Sequence, residues 1–422
     1  MLHIKAISIL PELAGVKIDW PRILRGVAAL QIVDIPVSVE THNPAGSPFT
    51  HVEATRLIYV SASASVPTAA PGSLEDAVSP RTGFERSYAD NPVRFVMVGL
   101  GMGNFRCEQL TKTSGCELVG VVDTNGERAK TVGERFNVPW ATDIQVFLND
   151  PRVEVMYVVT PTGTHGEISI RCMRAGKHVL TTKPMDWCAD ACRTAIDEAK
   201  KCGVLFGVDF DLRHQNPLLS LVEANKRGYF GRVLSATAQV KILRTQKYYD
   251  ENGAWRGTIR YDGGGAMSNQ GIHEIDRLIC ILGMPKRVMG FIATQGHVIE
   301  AEDLGCGIWQ YDNGAVVNFY ATTCYPVETW YSRVEIHGTA GAFIMEYGGA
   351  NPKMERWLKD GKWVDTAPYP VEPEFSQGSD NFASAVRLGT PLSGSGEEGI
   401  KSRIVLDAMY KSAGLNGAWV EI

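Results

Sequence analysis

Apolar residues form five nearly continuous runs between Val93 and Phe210, and stretches of helical character separate them. The runs cover 93–100, 116–123, 153–161, 177–185 and 204–210. Runs of this kind are typical of parallel strands that are buried on both faces. Because strands and helices of ten to fifteen residues alternate, the pattern predicts βαβ units and a parallel sheet.

The pattern changes after about residue 215. A helix and a long strand lead to an amphipathic helix that ends at Gly283, and apolar strand segments then follow one another directly at 287–294, 304–311, 315–323, 332–338 and 342–348. Asp312-Asn313-Gly314 lies between two of them and is a strong hairpin signal. These features predict an α+β domain with an open, largely antiparallel sheet. Its last helix, which ends at Gly414, can pack back on the first domain.

A chain of 422 residues is long enough for two or three domains. We place a Rossmann domain at 93–214 and a substrate-binding and oligomerisation domain at 215–422. Residues 1–92 precede both, and their stretch 61–83 has the Ser, Ala, Pro and Gly content of a linker. The sequence leaves open whether 1–60 hold short elements or form a poorly ordered extension. We assign no function to them.

Composition excludes several functional classes. A hydrophobic content of 44%, a charged content of 21% and a net charge of −5 are ordinary for a soluble globular protein. There is no basic block for nucleic acid, and no apolar run near the N-terminus approaches the ~20 residues that span a membrane. The nine cysteines are scattered, which favours free thiols in the cytoplasm and no metal site.

The first strand runs into a glycine-rich loop. Gly99 and Gly101 match the start of G-x-G-x-x-G, but Asn104 stands in the third place, with Gly103 before it. Such a loop at a helix N-terminus directs backbone N–H groups at a pyrophosphate. The simpler alternative is a glycine-rich turn without a ligand.

Asp123 ends the second strand, 24 residues after Gly99. An acid there accepts hydrogen bonds from the ribose hydroxyls of the cofactor and repels a 2′-phosphate, which favours NAD over NADP. The nearby Arg128 weakens that preference. The order strand, loop, helix, strand, acid nevertheless predicts a cofactor site built from these residues.

Two further segments carry candidate catalytic chemistry. Lys183 lies just past the fourth strand, at the sheet edge where ligands bind in open parallel sheets, and Pro184 keeps it extended. His273 follows a glycine run, shares a helix face with Asn269, and has Asp276 three residues later as a candidate to orient its ring. The alternatives are an exposed lysine and a histidine buried in the core.

Five motifs in this order resemble the Gfo/Idh/MocA oxidoreductases: "VMVGLGMGN…VVD", "TPTGTHGEI", "AGKHVLTTKPM", "GGGAMSNQGIHEID" and "EEGIKSRIVLDAMYKSA". The resemblance covers about residues 93–422. "AWRGTIRYDGGGAMSNQGIHEID" and "TTCYP" are similar to the subset that acts on UDP-N-acetyl-hexosamines or their uronic acids. The resemblance implies a Rossmann domain packed on an open-faced sheet, with nicotinamide between them.

The resemblance also implies that Lys183 is the motif lysine and His273 the catalytic histidine, with either one serving as the base. The sequence departs from the family at Thr182, where a glutamate is usual, and at Asn269, where an acid is common. Further residues are implied with less specificity: Thr160, Pro161 and His165 on the nicotinamide side, Arg213 in the cleft, and Tyr248, Trp255 and Arg256 at a sugar or pyrophosphate. The alternative for Tyr248, Trp255 and Arg256 is that they lie in a loop that packs on its own domain.

We therefore expect an NAD(P)-dependent dehydrogenase acting on a sugar, cyclitol or UDP-sugar. Two alternatives are a glycosidase in which NAD oxidises the sugar transiently, and a regulator that binds a nucleotide without turnover. An exposed sheet face promotes aggregation if nothing covers it. We therefore also expect a homodimer or homotetramer formed through the C-terminal sheet.

Overall fold

The computed structural model describes residues 37–38, 53–54, 90–251, 253–348 and 353–422. The chain divides into two compact units, 1–82 and 83–422. In the first unit, β1 (Val37–Ser38) and β2 (Glu53–Ala54) pair antiparallel. The rest of the expected N-terminal segment, including the expected linker at 61–83, lies outside the described residues.

The first part of the second unit contains a six-stranded parallel sheet with the order β5-β4-β3-β6-β7-β8. All five predicted strands are present, and β5 is additional because two residues are too few to form an apolar run. The strands are β3 (Val93–Val98), β4 (Cys116–Val122), β5 (Trp140–Ala141), β6 (Val155–Val158), β7 (His178–Thr182) and β8 (Phe206–Asp209).

Helices cover this sheet, and local signals set their ends. Asn125 caps the second helix, since its side chain accepts a hydrogen bond from the Arg128 N–H at 3.0 Å. Gly203 ends the fifth helix with φ of 67°, a left-handed conformation that favours glycine. The helices are α1 (Gly103–Thr111), α2 (Gly126–Phe136), α3 (Gln145–Leu148), α4 (His165–Arg174) and α5 (Ala189–Cys202), with 3-10 turns at Thr162–Thr164 and Asp211–His214.

The remainder contains a nine-stranded sheet with the order β16-β15-β14-β13-β9-β12-β11-β10-β17. Neighbouring strands of this mixed sheet are antiparallel except for β9 and β12, which confirms the predicted largely antiparallel sheet. The strands are β9 (Val233–Lys241), β10 (Arg287–Ala293), β11 (Leu304–Gln310), β12 (Val316–Thr322), β13 (Tyr331–Gly338), β14 (Ala342–Tyr347), β15 (Lys353–Lys359), β16 (Lys362–Val364) and β17 (Val420–Glu421). The predicted hairpin at Asp312-Asn313-Gly314 connects β11 to β12, with Gly314 at φ of 83°.

The helices of this part are α6 (Asn216–Lys226), α7 (Gln246–Asp250), α8 (Ile259–Asp262), a π-helix (Ala266–Gly271), α9 (Ile272–Leu282), α10 (Gly378–Leu388) and α11 (Gly396–Gly414). The π-helix, α9 and α11 pack against the mixed sheet, whereas α10 contacts β3, β4 and β8 of the parallel sheet. The last helix contacts α5 and β8 as well as α9 and β10. Gly399 allows this approach, because a Cβ there would lie 2.4 Å from Cγ2 of Val208. In the described ranges, no helix has the length and apolar content needed to cross a membrane.

A buried ion pair connects the parallel-sheet and mixed-sheet parts. Arg213, in the turn after β8, donates two hydrogen bonds to Asp276 on α9, from Nε at 2.9 Å and from Nη2 at 2.7 Å. Both side chains are buried. The pair thus fixes α9 of the mixed-sheet part to the carboxyl edge of the parallel sheet.

Asp276→Ala is expected to lower the free energy of unfolding by about 3–5 kcal/mol, because it leaves the Arg213 guanidinium buried without its carboxylate. Urea denaturation measures the loss. Asp190→Ala is the control, since Asp190 pairs with Arg193 on the exposed surface of α5 and should leave the unfolding midpoint unchanged. Equal midpoints for both variants would contradict the assignment.

Candidate active site

The loop after β3 provides a tight turn and an open surface. Gly99 has φ of 88°, and a Cβ there would lie 2.7 Å from the carbonyl oxygen of Val159, so both conformation and space require glycine. Gly101 is exposed, and the nearest atom to a Cβ at that position would be Nη1 of Arg128 at 4.0 Å. A phosphate group can therefore approach the backbone at Gly101 and the N-terminus of α1.

Gly103 provides the close packing that the third glycine of the fingerprint usually supplies. It is the first residue of α1, and a Cβ there would lie 3.2 Å from Cγ of Met97 on β3. The side-chain oxygen of Asn104 instead accepts a hydrogen bond from Nη1 of Arg135 at 3.1 Å. The helix therefore packs on the strand although the last glycine comes one position early.

Asp123 connects the glycine loop to the end of β4. Its carboxylate accepts hydrogen bonds from the backbone N–H of Leu100 and of Asn125, each at 2.8 Å. Nε of Arg128 lies 3.3 Å from the same carboxylate. Asp123 thus supports the loop and lies where the ribose acid was expected, while Arg128 offsets part of the charge that would repel a 2′-phosphate.

The loop after β6 carries three residues that were expected on the nicotinamide side. Thr160 and Pro161 follow that strand, and His165 is buried at the start of α4. The His165 ring nitrogens lie 2.7 Å from the carbonyl oxygen of Thr160 and 2.9 Å from that of Pro184. Burial lowers the pKa of His165. His165 therefore fastens the β6 loop to the segment after β7, and contact of these three residues with the cofactor stays a prediction.

Lys183 follows β7, and its peptide bond to Pro184 is cis. Its Nζ donates a hydrogen bond to the backbone oxygen of Asn269 at 2.8 Å. Burial lowers the pKa of Lys183 to about 8, against the opposing effect of Asp262 and Asp211. The lysine of the parallel-sheet part thus contacts the glycine-led segment of the mixed-sheet part, four residues before His273.

His273 is the second residue of α9, directly after the π-helix, a type of element that is frequent at functional sites. Its Nδ1 is buried and has no hydrogen-bond partner in the described parts of the chain. Burial and the positive charges of Lys183, Arg277 and Arg106 hold the pKa of His273 well below its usual range. His273 is therefore a neutral imidazole. Asp276 does not orient its ring, because the carboxylate pairs with Arg213.

Asp262 was not recognised from the sequence, although it lies directly before the glycine run. It is 1% exposed and accepts hydrogen bonds from Nδ2 of Asn269 at 2.7 Å and from the backbone N–H of Gly257 at 2.9 Å. Burial raises its pKa to about 6. The only sequence feature that pointed to Asp262 was its position directly before "GGG". An aspartate in a surface turn would explain that pattern equally well.

Two arginines share one tyrosine ring in the segment before α8. The guanidinium carbons of Arg244 and Arg256 each lie 4.6 Å from the ring centroid of Tyr248, and that of Arg256 lies 4.9 Å from Trp255. Nε of Arg244 is buried and without a hydrogen-bond partner in the described ranges. Arg244 is a second residue that sequence reasoning missed. Arg213, by contrast, is occupied by its buried ion pair, and its expected role in the cleft stays a prediction.

A cluster of three polar side chains lies beside Arg244. The side-chain atoms of His297, Asp303 and Cys324 that can serve as metal ligands lie within 4.8 Å of one another. Asp303 accepts backbone hydrogen bonds from Gln295, Gly296 and His297, and the second ring nitrogen of His297 lies 2.8 Å from the carbonyl oxygen of Arg244. These bonds satisfy the carboxylate and fix the loop after β10 against the segment that carries Arg244.

Comparison with known proteins agrees with this architecture. The family model described as "Oxidoreductase family, NAD-binding Rossmann fold" matches residues 93–210, and the model of its C-terminal alpha/beta domain matches 223–422. The chain is 25% identical to a 1,5-anhydro-D-fructose reductase of Ensifer adhaerens, over 72% of this chain and 90% of that protein. It is 26% identical to a scyllo-inositol 2-dehydrogenase (NADP(+)) of Bacillus subtilis, over 64% and 80%.

A solved structure is also similar. The WlbA dehydrogenase of Bordetella pertussis, crystallised with NADH and UDP-GlcNAcA, superimposes with a TM-score of 0.70 at 27% identity, over 78% of this chain and 99% of that one.

Gly99→Ala is expected to weaken NADH binding about tenfold or more, because the left-handed backbone and the nearby Val159 carbonyl both oppose a side chain. Asn104→Gly is the matched variant in the same loop. It should bind NADH within a few-fold of wild type, since Gly103 already provides the packing. Titration of NADH fluorescence measures both. A strong loss in Asn104→Gly would mean that the amide contacts the cofactor.

Proposed function

Because this chain belongs to the Gfo/Idh/MocA oxidoreductase family, we propose that it is an NAD-dependent dehydrogenase that oxidises a hydroxyl-bearing carbon of a UDP-sugar. The observation that carries the proposal is that Lys183 donates a hydrogen bond to the backbone of Asn269, four residues before His273, and is close enough for its charge to lower the pKa of His273. A regulator that only binds a nucleotide has no need of both groups. A bound NAD would supply the hydride acceptor, and the open backbone at Gly101 with the N-terminus of α1 suits its pyrophosphate.

The different pKa values of Lys183 and His273 suggest which catalytic role each residue has. At neutral pH, Lys183 with a pKa of about 8 is mostly protonated, whereas His273 is neutral. We assign His273 as the base that takes the hydroxyl proton. The ammonium group of Lys183 holds the same oxygen and stabilises the negative charge that develops on it. The sequence alone left these two roles interchangeable.

Asp123 favours NAD over NADP in this proposal. Its carboxylate lies at the end of β4, where it would face the adenosine ribose. Arg128 beside it makes the discrimination less strict than a lone carboxylate would. A preference for NAD with measurable use of NADP is therefore the expected behaviour.

The arginines around Tyr248 suggest the substrate class. Guanidinium groups bind phosphate and carboxylate oxygens in a bidentate manner, and aromatic rings stack on sugars and bases. Arg244 adds a second cation to the residues Tyr248, Trp255 and Arg256 that the sequence already indicated. The WlbA enzyme was crystallised with an anionic UDP-sugar, which agrees with a substrate of this kind.

The second face of the mixed sheet supports the proposed homodimer or homotetramer. Gly290 of β10 faces α11, where a Cβ would lie 2.5 Å from the carbonyl oxygen of Met409. The neighbouring Phe291 points the other way and is 59% exposed, and Val316 on the same face is 39% exposed. An apolar face of this kind suits a second copy of the chain. None of the nine cysteines, all of which lie in the described ranges, forms a disulfide, which fits the cytoplasmic location that we propose.

Lys183→Ala is expected to lower kcat by about 10²–10⁴-fold, because it removes the cation that stabilises the substrate oxygen. NAD affinity should stay within a few-fold of wild type. The assay measures NADH release at the nicotinamide absorbance with a panel of UDP-sugars, free sugars and inositols. Lys201→Ala, on the exposed face of α5, is the control.

Wild-type turnover in Lys183→Ala would contradict its catalytic role. Sugar conversion by the wild-type enzyme without net NADH release would indicate the glycosidase alternative.

Arg256→Ala is expected to raise KM for a UDP-sugar about tenfold, as the loss of one charge-assisted contact implies. KM for the corresponding free sugar, which lacks the anionic group, should change far less. Arg193→Ala on the surface of α5 controls for the general loss of a positive charge. Equal effects on both substrates would place Arg256 away from the anion.

A further inference from the structure

We propose that Asp262 is a positioning residue for Lys183, holding the lysine as an ammonium group and fixing Asn269, which receives its hydrogen bond. The proposal deepens the proposed function, since it concerns the lysine of the same site. Asp262 would not touch the substrate. It would act through Lys183 and through the segment that carries His273.

Asn269 is held from two sides. Its side-chain Nδ2 donates to Oδ1 of Asp262 at 2.7 Å, and its backbone oxygen accepts from Nζ of Lys183 at 2.8 Å. The other oxygen of Asp262 accepts from the backbone N–H of Gly257 at 2.9 Å. The carboxylate thus fixes the residue against which the lysine is placed, four positions before His273.

Asp262 also supplies negative charge that the local sequence lacks, because the residue before Lys183 is Thr182. Two acids and two arginines act on the charge of Lys183: Asp262, Asp211, Arg106 and Arg244. Asp211 is bound by Arg106 through hydrogen bonds of 2.6 and 2.8 Å, so its charge is largely compensated. The two hydrogen bonds to Asp262 come from neutral donors, and Asp262 has the largest opposing effect on the lysine.

The pH range in which the pair is charged follows from its two groups. Burial lowers the pKa of Lys183 to about 8 and raises that of Asp262 to about 6. Below about 6 the carboxyl group becomes neutral, and above about 8 the amine does. Between these values Asp262 is negative and Lys183 positive, so the lysine can donate to a substrate oxygen at neutral pH.

Asp262→Asn tests the proposal. Without the carboxylate charge, the ammonium form of Lys183 loses its main stabilising partner, so the pKa of the lysine should fall by about one unit. Trace acetylation of the full chain with acetic anhydride over a pH series, followed by mass spectrometry of the Lys183 peptide, measures the midpoint directly. The alkaline limb of kcat/KM should move to lower pH by the same amount.

Glu302→Gln is the matched control. Glu302 is also buried and accepts hydrogen bonds from the backbone N–H groups of Gly265 and Met267, in the same glycine-led segment. It does not rank among the main influences on Lys183, so its variant should leave the midpoint in place. A shift in both variants would mean that loosening of the segment, rather than the charge of Asp262, moves the titration.

An unchanged Lys183 midpoint in folded Asp262→Asn would overturn the proposal. If that variant does not fold, Asp262→Ser, which also removes the carboxylate charge, gives the same test with the same expected shift. The acetylation measurement needs no substrate. A shifted midpoint in a chain that oxidises no sugar would therefore refute the proposed function and leave the role of Asp262 standing.

Discussion

The arrangement of the site depends on one constraint, which is that an ammonium group is buried where the two sheets meet. Removing a charge from water is costly unless hydrogen bonds and opposite charges compensate it. The chain meets this cost for Lys183 with a backbone carbonyl and nearby carboxylates from both parts. The same positive charge then disfavours protonation of His273, so Lys183 carries a proton at neutral pH while His273 is neutral.

The parallel sheet could be predicted from sequence because its longer strands are mostly buried on both faces and therefore read as nearly continuous apolar runs. Other elements lacked that signal. In β15, Lys353–Lys359, four charged residues interrupt the apolar ones without a regular alternation, and β5 and β17 contain only two residues each. The parallel pairing of β9 with β12 was also missed, because a strand's hydrophobic pattern does not specify its neighbour's direction.

The site was predictable where function imposes a fixed spacing along the chain. The glycines, Asp123, Lys183 and His273 stand at positions that a motif can identify, and the fold then brings the last two together. Asp262 was missed because the lysine that we propose it positions precedes it by 79 positions, and Arg244 was missed because no motif marks it. The displaced glycine fingerprint was resolved only by structure, because the contact of Gly103 with Met97 depends on how α1 lies on β3.

The single parallel pair in the mixed sheet has a consequence for synthesis of the chain. Strand β9 (Val233–Lys241) is central, yet its partners β12 and β13 begin at Val316 and Tyr331. At about 5–20 residues per second, roughly 4–20 seconds pass between translation of β9 and of its partners. During that interval both hydrogen-bonding edges of β9 remain open, and such edges can pair with other chains. The nascent chain is thus exposed to misassembly on the ribosome. The strands of the parallel sheet are complete by Asp209, but Phe382 and Ala383, which complete its core, follow only with α10.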